Sequence, residues 1–304
     1  MENTGYNKYA PIVLFVYNRP KHILQTINSL LYNEYVEDSD LIVYSDGPKD
    51  SKDLDLVEQT RAYIKSVSGF KSVKLIERAD NWGLANNIID GVTSIVNQYG
   101  KVIVLEDDLV VSPYFLKYMN EALDFYEKEE LVVCIHGYVY PVKQKLPETF
   151  FIKGADCWGW ATWKHGWDLF CSDGKRLLNE IEKRNLQKEF DFDNSYPYFR
   201  MLKRQIEGKN NSWAIRWYAS AFLQNKFTLY PGRSLVNQIG VDGSGTHCGV
   251  NEMFNVSLAD SPIELSETVI QESKQGRNAF IYYFRYVMFY YKVKARLKRL
   301  FKIS

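Results

Sequence analysis

Apolar residues in the first 140 positions fall into short unbroken runs separated by longer stretches with helical spacing. Ile12-Val13-Leu14-Phe15-Val16-Tyr17 is continuous and rich in β-branched residues, as expected of a strand buried on both faces. After Asn18-Arg19-Pro20, the residues Ile23, Leu24, Ile27, Leu30 and Leu31 recur at helical spacing, and Pro20 suits the first turn of that helix. Leu41 to Tyr44 predicts a second strand ending in the turn Ser45-Asp46-Gly47-Pro48, followed by a helix carrying Leu56, Val57 and Tyr63. Val73 to Glu77 predicts a third strand, and Leu84, Ile88, Val92, Ile95 and Val96 form a helical stripe. Lys101 to Leu105 predicts a fourth strand that runs directly into Glu106-Asp107-Asp108. Ser112-Pro113 reads as an N-cap with an N1 proline heading a helix to about Glu127, and Leu131 to Ile135 as a fifth strand. Strands alternating with helices imply right-handed crossovers and a mainly parallel central sheet flanked by helices, an α/β Rossmann-like fold.

Beyond about Tyr140 the alternation stops. Residues 175–209 are charged and predict helices with loops, Trp213 to Gln224 a helix, and Thr228 to Tyr230 a strand. Gly240 to Gly249 is a glycine-rich loop. With no linker rich in Pro, Gly or Ser, residues 141–273 are expected to form a subdomain packed on residues 1–140. Residues 274–304 differ from both, with nine Lys or Arg and no Asp or Glu among crowded aromatics. Two readings stand for this tail: an interfacial helix on an anionic membrane surface, or a solvated terminal helix packed by its aromatics.

Composition narrows the partners. The 304 residues are 46% hydrophobic, and 38 Lys and Arg nearly cancel 37 Asp and Glu, so no global field argues for nucleic acid. Aromatics are abundant, 22 Tyr, 17 Phe and 7 Trp, which suits sugar faces and cores alike. Cysteines at 134, 157, 171 and 248 make no CxxC and no zinc-ribbon spacing. Free thiols and a polar start from Met1 to Tyr9, without a signal-peptide pattern, lead to the expectation of a cytoplasmic protein, peripheral on the inner membrane face if the tail is an anchor.

In open parallel sheets, ligands sit beyond the carboxyl ends of the strands. Asn18-Arg19, Asp46, Asn81 with Gly83, and Glu106-Asp107-Asp108 all fall there. One acid after a strand is ordinarily a turn or a helix cap. Three in succession repel one another and call for a cation or basic groups, and hard carboxylate oxygens suit Mn²⁺ or Mg²⁺ while leaving room for phosphate oxygens.

The order of these motifs resembles the GT-A glycosyltransferases, in particular N-acetylglucosaminyltransferase I and its bacterial family-two-like relatives. The likeness rests on Pro11 to Pro20, Ser45-Asp46-Gly47, Asn81-Trp82-Gly83-Leu84-Ala85-Asn86-Asn87, and Val104 to Leu109 with Pro113. It implies a GT-A fold and transfer of a hexose or N-acetylhexosamine from a nucleotide sugar. The donor would be a UDP-sugar and the acceptor a saccharide or lipid-linked hydroxyl, with inversion, as in bacterial surface-polysaccharide synthesis. By the same resemblance, Asp108 binds the metal and bridges to the donor diphosphate, Glu106 and Asp107 hold ribose or metal-bound waters, Arg19 meets the nucleotide, and Asp46 accepts from a uracil-like N–H. Cys157-Trp158-Gly159-Trp160-Ala161-Thr162-Trp163 resembles a glycine–tryptophan loop bounding the acceptor and donor-sugar site, with Trp158, Gly159 and Trp160 against substrate. His247, at the end of the glycine-rich loop, stands where a late histidine completes some GT-A metal sites.

The departure is the base. By the resemblance, Trp213-Ala214-Ile215-Arg216-Trp217 falls where N-acetylglucosaminyltransferase I carries its acidic catalytic base, and holds none; Asp156 and Asp242 are the substitutes by loop placement. A sugar-1-phosphate nucleotidyltransferase would need a glycine-rich basic signature after the first strand, which Asn18-Arg19-Pro20-Lys21 does not supply. A non-catalytic nucleotide-sugar or carbohydrate-binding relative is the alternative that the missing acid allows.

Overall fold

Residues 8–240 and 252–301 are described by the structure, a computed structural model. The chain first runs β1 (Ile12–Val16), α1 (Pro20–Leu31), β2 (Asp40–Ser45), α2 (Ser51–Ser66), β3 (Ser72–Glu77), α3 (Leu84–Tyr99) and β4 (Lys101–Glu106). It continues through β5 (Leu109–Val111), α4 (Phe115–Phe125), β6 (Val132–His136), β7 (Thr149–Lys153), β8 (Trp160–Trp163), α5 (Lys164–Trp167), α6 (Gly174–Lys183), α7 (Gln187–Phe190) and α8 (Tyr198–Ile206). The last elements are α9 (Trp213–Leu223), β9 (Phe227–Pro231), β10 (Val236–Gln238) and α10 (Lys274–Phe301).

Eight strands make one sheet in the order β3-β2-β1-β4-β8-β6-β9-β7. β1, β2 and β4 carry unbroken apolar runs because helices cover both faces, whereas the edge strand β3 is only partly buried. Along β1, Ile12, Leu14 and Val16 join the core with Ile23 and Ile27 of α1 and Leu116 of α4. Val13 and Phe15 point the other way, to Ile88 and Val92 of α3 and Trp217 of α9. This is the period of two expected of a pleated strand, with both sides dry.

The sheet is parallel from β3 to β4 and mixed thereafter. β8 enters antiparallel between β4 and β6, β9 pairs parallel with β6, and β7 closes the edge antiparallel to β9. The stretch Trp160 to Trp163, read from sequence as part of a substrate loop, is therefore a central strand. Four residues buried on both faces show neither alternation nor enough length to announce one. Ser112 also departs from expectation: α4 begins three residues later, and Ser112 Oγ instead donates to Ala259 O (2.7 Å).

The order 3-2-1-4 puts the reversal of strand order along the sheet at the parallel neighbours β1 and β4, with Phe15 opposite Glu106. In such folds the ligand crevice opens at the carboxyl ends of the strands flanking that reversal. Among the described residues no helix is long and apolar enough to cross a membrane.

Candidate functional site

The carboxyl ends of β1 and β4 bring Arg19 onto the acidic triplet. Its guanidinium forms a fork, Nη1 to Asp108 Oδ2 (2.9 Å) and Nη2 to Asp107 Oδ1. Asp107 and Asp108 are both buried. Asp107 is held further by the Tyr17 backbone N–H (3.4 Å), and its carbonyl accepts from Thr26 Oγ1 (2.8 Å). The Glu106 carboxyl makes no hydrogen bond or ion pair among the described residues. Burial, then Asp108 and Asp107, push its carboxyl up to about 8, and burial leaves Asp107 raised to about 6 despite Arg19. Burial works against the Arg19 charge, but the two aspartates outweigh it and stabilise the cation.

One guanidinium thus faces three carboxyls. Among the described residues the site holds more negative charge than is offset, which is the condition under which a divalent cation is taken up. No three His, Cys, Asp or Glu side chains among the described residues converge as a complete metal cage. Mg²⁺-type sites seldom need one, since one or two carboxylates, waters and substrate phosphates complete the shell. The donor chemistry fits a hard cation at Asp108, provided that Arg19 yields its place there.

The antiparallel pairing of β5 with β10 delivers a later segment to the same carboxylate. Gln238 Nε2 donates to Asp108 Oδ2 (3.3 Å), and Ile239 N to Asp108 O (2.8 Å). A Cβ on Gly240 would stand 2.1 Å from Asp108 Oδ2, so any larger residue there would have to displace that carboxylate. Asp242 and His247 follow this point and lie outside the described residues.

At the ends of β2 and β3 the finding differs from the expectation. Asp46 is buried, and its carboxylate accepts from Gly47 N (3.0 Å), Trp82 N (2.8 Å), Gly83 N (2.8 Å) and Asn81 Nδ2 (3.1 Å). An ionised carboxylate offers about four acceptor sites, and here its own chain occupies them. Asp46 therefore organises the loop leading into α3 and leaves no acceptor free for a base N–H. Asn81 and Gly83 belong to that same knot, Asn81 reaching Gly47 O as well (2.8 Å). Asn18 is likewise tied, donating to Asp53 Oδ1 (2.7 Å). Replacing Asp46 by asparagine, which sets an amide against N–H donors, should lower stability by about 1–3 kcal/mol. Thermal denaturation checks this; an unchanged melting point with weakened nucleotide binding would return the base-reading role to Asp46.

Because β8 runs antiparallel to β4, the loop before it lies at the ligand end of the sheet. Asp156 is in that loop, its side chain 24% exposed. Its Oδ2 accepts from Tyr230 Oη (2.8 Å) and its Oδ1 from Cys157 N (2.8 Å). The Cys157 thiol, raised first by burial, also feels both Asp156 and Glu106, so the two acids share one neighbourhood. His136, at the end of β6, accepts at Nε2 from Trp158 N (3.0 Å) and pins the loop; burial keeps this imidazole below its usual range. Sequence gave no reason to single out His136, Tyr230 or Gln238, since each owes its place to pairing with a distant segment.

The tryptophans separate. Trp158 is half-buried, edge-on to Tyr138 and Phe254. Trp160 is 1% exposed, with Trp213 (5.6 Å), Trp167 (5.7 Å) and Trp217 (5.9 Å) around its ring. It is a core residue rather than a substrate contact, and the same packing explains why α9 carries indoles. Gly159 adopts φ +63°, where a Cβ would meet Val236 at 2.6 Å, so its backbone passes where no side chain fits.

Residues 12–207 match the family described as Glycosyl transferase family 2. No curated protein matches the chain. Among solved structures, the chain is similar to the mannosyltransferase PcManGT from Pyrobaculum calidifontis in complex with GDP-Man and Mn²⁺ (14% identity, 43% of this chain and 36% of that one, TM-score 0.32). It is also similar to S. aureus TarS (18%, 47% and 24%, 0.30) and to its fragment 1–349 (16%, 53% and 48%, 0.33). In each case the match spans less than half of the other protein's chain.

Proposed function

Because the chain belongs to glycosyl transferase family 2, we propose that it transfers a hexose or N-acetylhexosamine from a UDP-sugar to a hydroxyl of a saccharide or lipid-linked acceptor, with inversion, in surface-polysaccharide synthesis. The observation that carries this reading is the Glu106-Asp107-Asp108 triplet at the β1/β4 reversal, its two aspartates buried and paired with the Arg19 guanidinium.

Asp108 is assigned to Mn²⁺ or Mg²⁺ together with the donor diphosphate, and His247 is proposed as a further ligand. When bound, the cation neutralises charge gathering on the departing diphosphate. Arg19, displaced from the acids, turns its fork to phosphate, for which its geometry is suited. Glu106 and Asp107 hold ribose hydroxyls or ordered water, and the nucleobase lies against the backbone that Asp46 arranges. Trp158 and Gly159 bound the sugar. Asp156 takes the proton of the acceptor hydroxyl as the acceptor's oxygen forms the bond to the anomeric carbon and the nucleoside diphosphate leaves. Asp242 is the second candidate for that proton.

One observation favours the non-catalytic alternative: helix α9, where the resemblance to N-acetylglucosaminyltransferase I leads one to expect an acidic base, holds no acid and is core. Turnover decides. Incubation with a panel of UDP-sugars and Mn²⁺ is expected to release UDP from at least one of them, and chelation should stop it. Absence of release from every donor would favour a binding protein, and release unaffected by chelation would remove the metal from the proposal.

A further inference from the structure

Helix α10 has two characters along its length. Ala279, Phe280, Phe284 and Val287 are buried, with Phe280 against Phe150 (5.9 Å) and Tyr230 (5.4 Å). From Met288 to Val293 no residue is buried. On the outward side stand Tyr282, Tyr286, Phe289 and Val293, between 40% and 66% exposed. Their spacing of four, three and four residues puts them on one face of a helix. A lone exposed aromatic needs no explanation, but a contiguous apolar stripe marks an interaction surface. In sequence the same spacing continues through Leu297 and Leu300.

Charge selects what covers the stripe. Nine of the 38 Lys and Arg, and none of the 37 Asp and Glu, lie between residue 274 and the end. A chain of net charge +1 therefore joins an acidic body to a cationic tail. Arg285 and Lys292 are exposed beside the stripe. A second copy of the chain would set one cationic tail against another, and nucleic acid offers no counterpart for a stripe of this apolar character. We infer that the outward face of α10 docks on the surface of an anionic lipid bilayer, with the stripe in the headgroup boundary and the cations on acidic headgroups. The acidic body is repelled by the same surface, which fixes the orientation.

The opposite face of the same helix packs on Tyr140, through Phe280 (4.9 Å) and Tyr283 (5.3 Å), and Asp156 lies within electrostatic reach of that tyrosine. Docking would bring the acceptor side of the crevice to the bilayer, as a lipid-linked acceptor requires; this last step, unlike the docking, rests on the proposed function.

The test uses the full chain and vesicles of phosphatidylcholine with and without phosphatidylglycerol. Co-sedimentation with the anionic vesicles alone, weakened by salt, is expected. Tyr286→Glu with Phe289→Glu should reduce partitioning at least about tenfold, and Lys292→Ala about fivefold. The melting point and UDP release from a soluble donor should stay at the wild-type level in both. Equal binding to neutral vesicles, no vesicle binding at low salt, or undiminished binding of the double variant would overturn the inference. So would a dimer, seen by light scattering, that the stripe variants dissociate without any vesicle binding. Failure here leaves UDP release intact, so it is distinguishable from failure of the catalytic reading.

Discussion

Asp156→Asn is expected to lower sugar transfer by about 10²–10⁴-fold, the usual contribution of a positioned general base, while leaving UDP affinity and melting temperature close to wild type. The asparagine keeps the shape of the side chain and one acceptor oxygen for Cys157 N. Its amide still meets Tyr230 Oη, whose hydroxyl can turn to accept. What is lost is the ability to take a proton. Steady-state kinetics should show the loss in kcat, with little change in KM for the donor. Transfer within tenfold of wild type would move the base to Asp242 or elsewhere.

The second large effect is at Asp108. Asp108→Ala should weaken UDP binding in Mn²⁺ on the order of a hundredfold and abolish the advantage of Mn²⁺ over chelator, since even residues behind a metal's own ligands are worth 10–100-fold. Calorimetry of UDP with Mn²⁺ and with chelator measures both. A pH readout accompanies it. Glu106 is raised from 4.5 to about 8 in the folded protein, so between these values the folded state holds a proton that the unfolded chain has lost. Stability of the metal-free protein should therefore fall as pH rises through that window. Mn²⁺, or removal of the Asp108 charge, should flatten the fall. Equal UDP affinity with and without chelator would reject the assignment.

Much of the fold could be read from residue order, for a physical reason. β1, β2 and β4 are buried on both faces by helices that follow them directly, so local hydrophobic runs and local periodicity carry the information. The same holds for the placing of Glu106-Asp107-Asp108, which needs only the end of a strand. What those groups bind could not be read. Arg19 is far from the acids in sequence and meets them only because β1 and β4 are neighbours. Asp46 was visible as an acid at a strand end, but its partners are backbone N–H groups of a loop thirty-odd residues later, which no residue type announces. Trp160 fell on the wrong side of the argument because an indole beside glycines looks the same whether sugar or other indoles await it. The aromatic tail divided: its buried face packs as a terminal helix would, and its outward face keeps the amphipathic pattern.

Strand β8 has a bearing on how the protein comes into being. It fills the gap between β4 and β6, with Lys101 opposite Trp163 and His136 opposite Trp160. Until residue 163 has emerged from the ribosome, β4 has a bare edge and β6 has neither of its neighbours, since β9 comes later still. Exposed edges of this kind invite pairing with other chains, and closure over such sequence separations is slow. The nascent N-terminal half is thus the stage most open to misassembly, and a fragment cut near residue 140 would carry that open edge permanently.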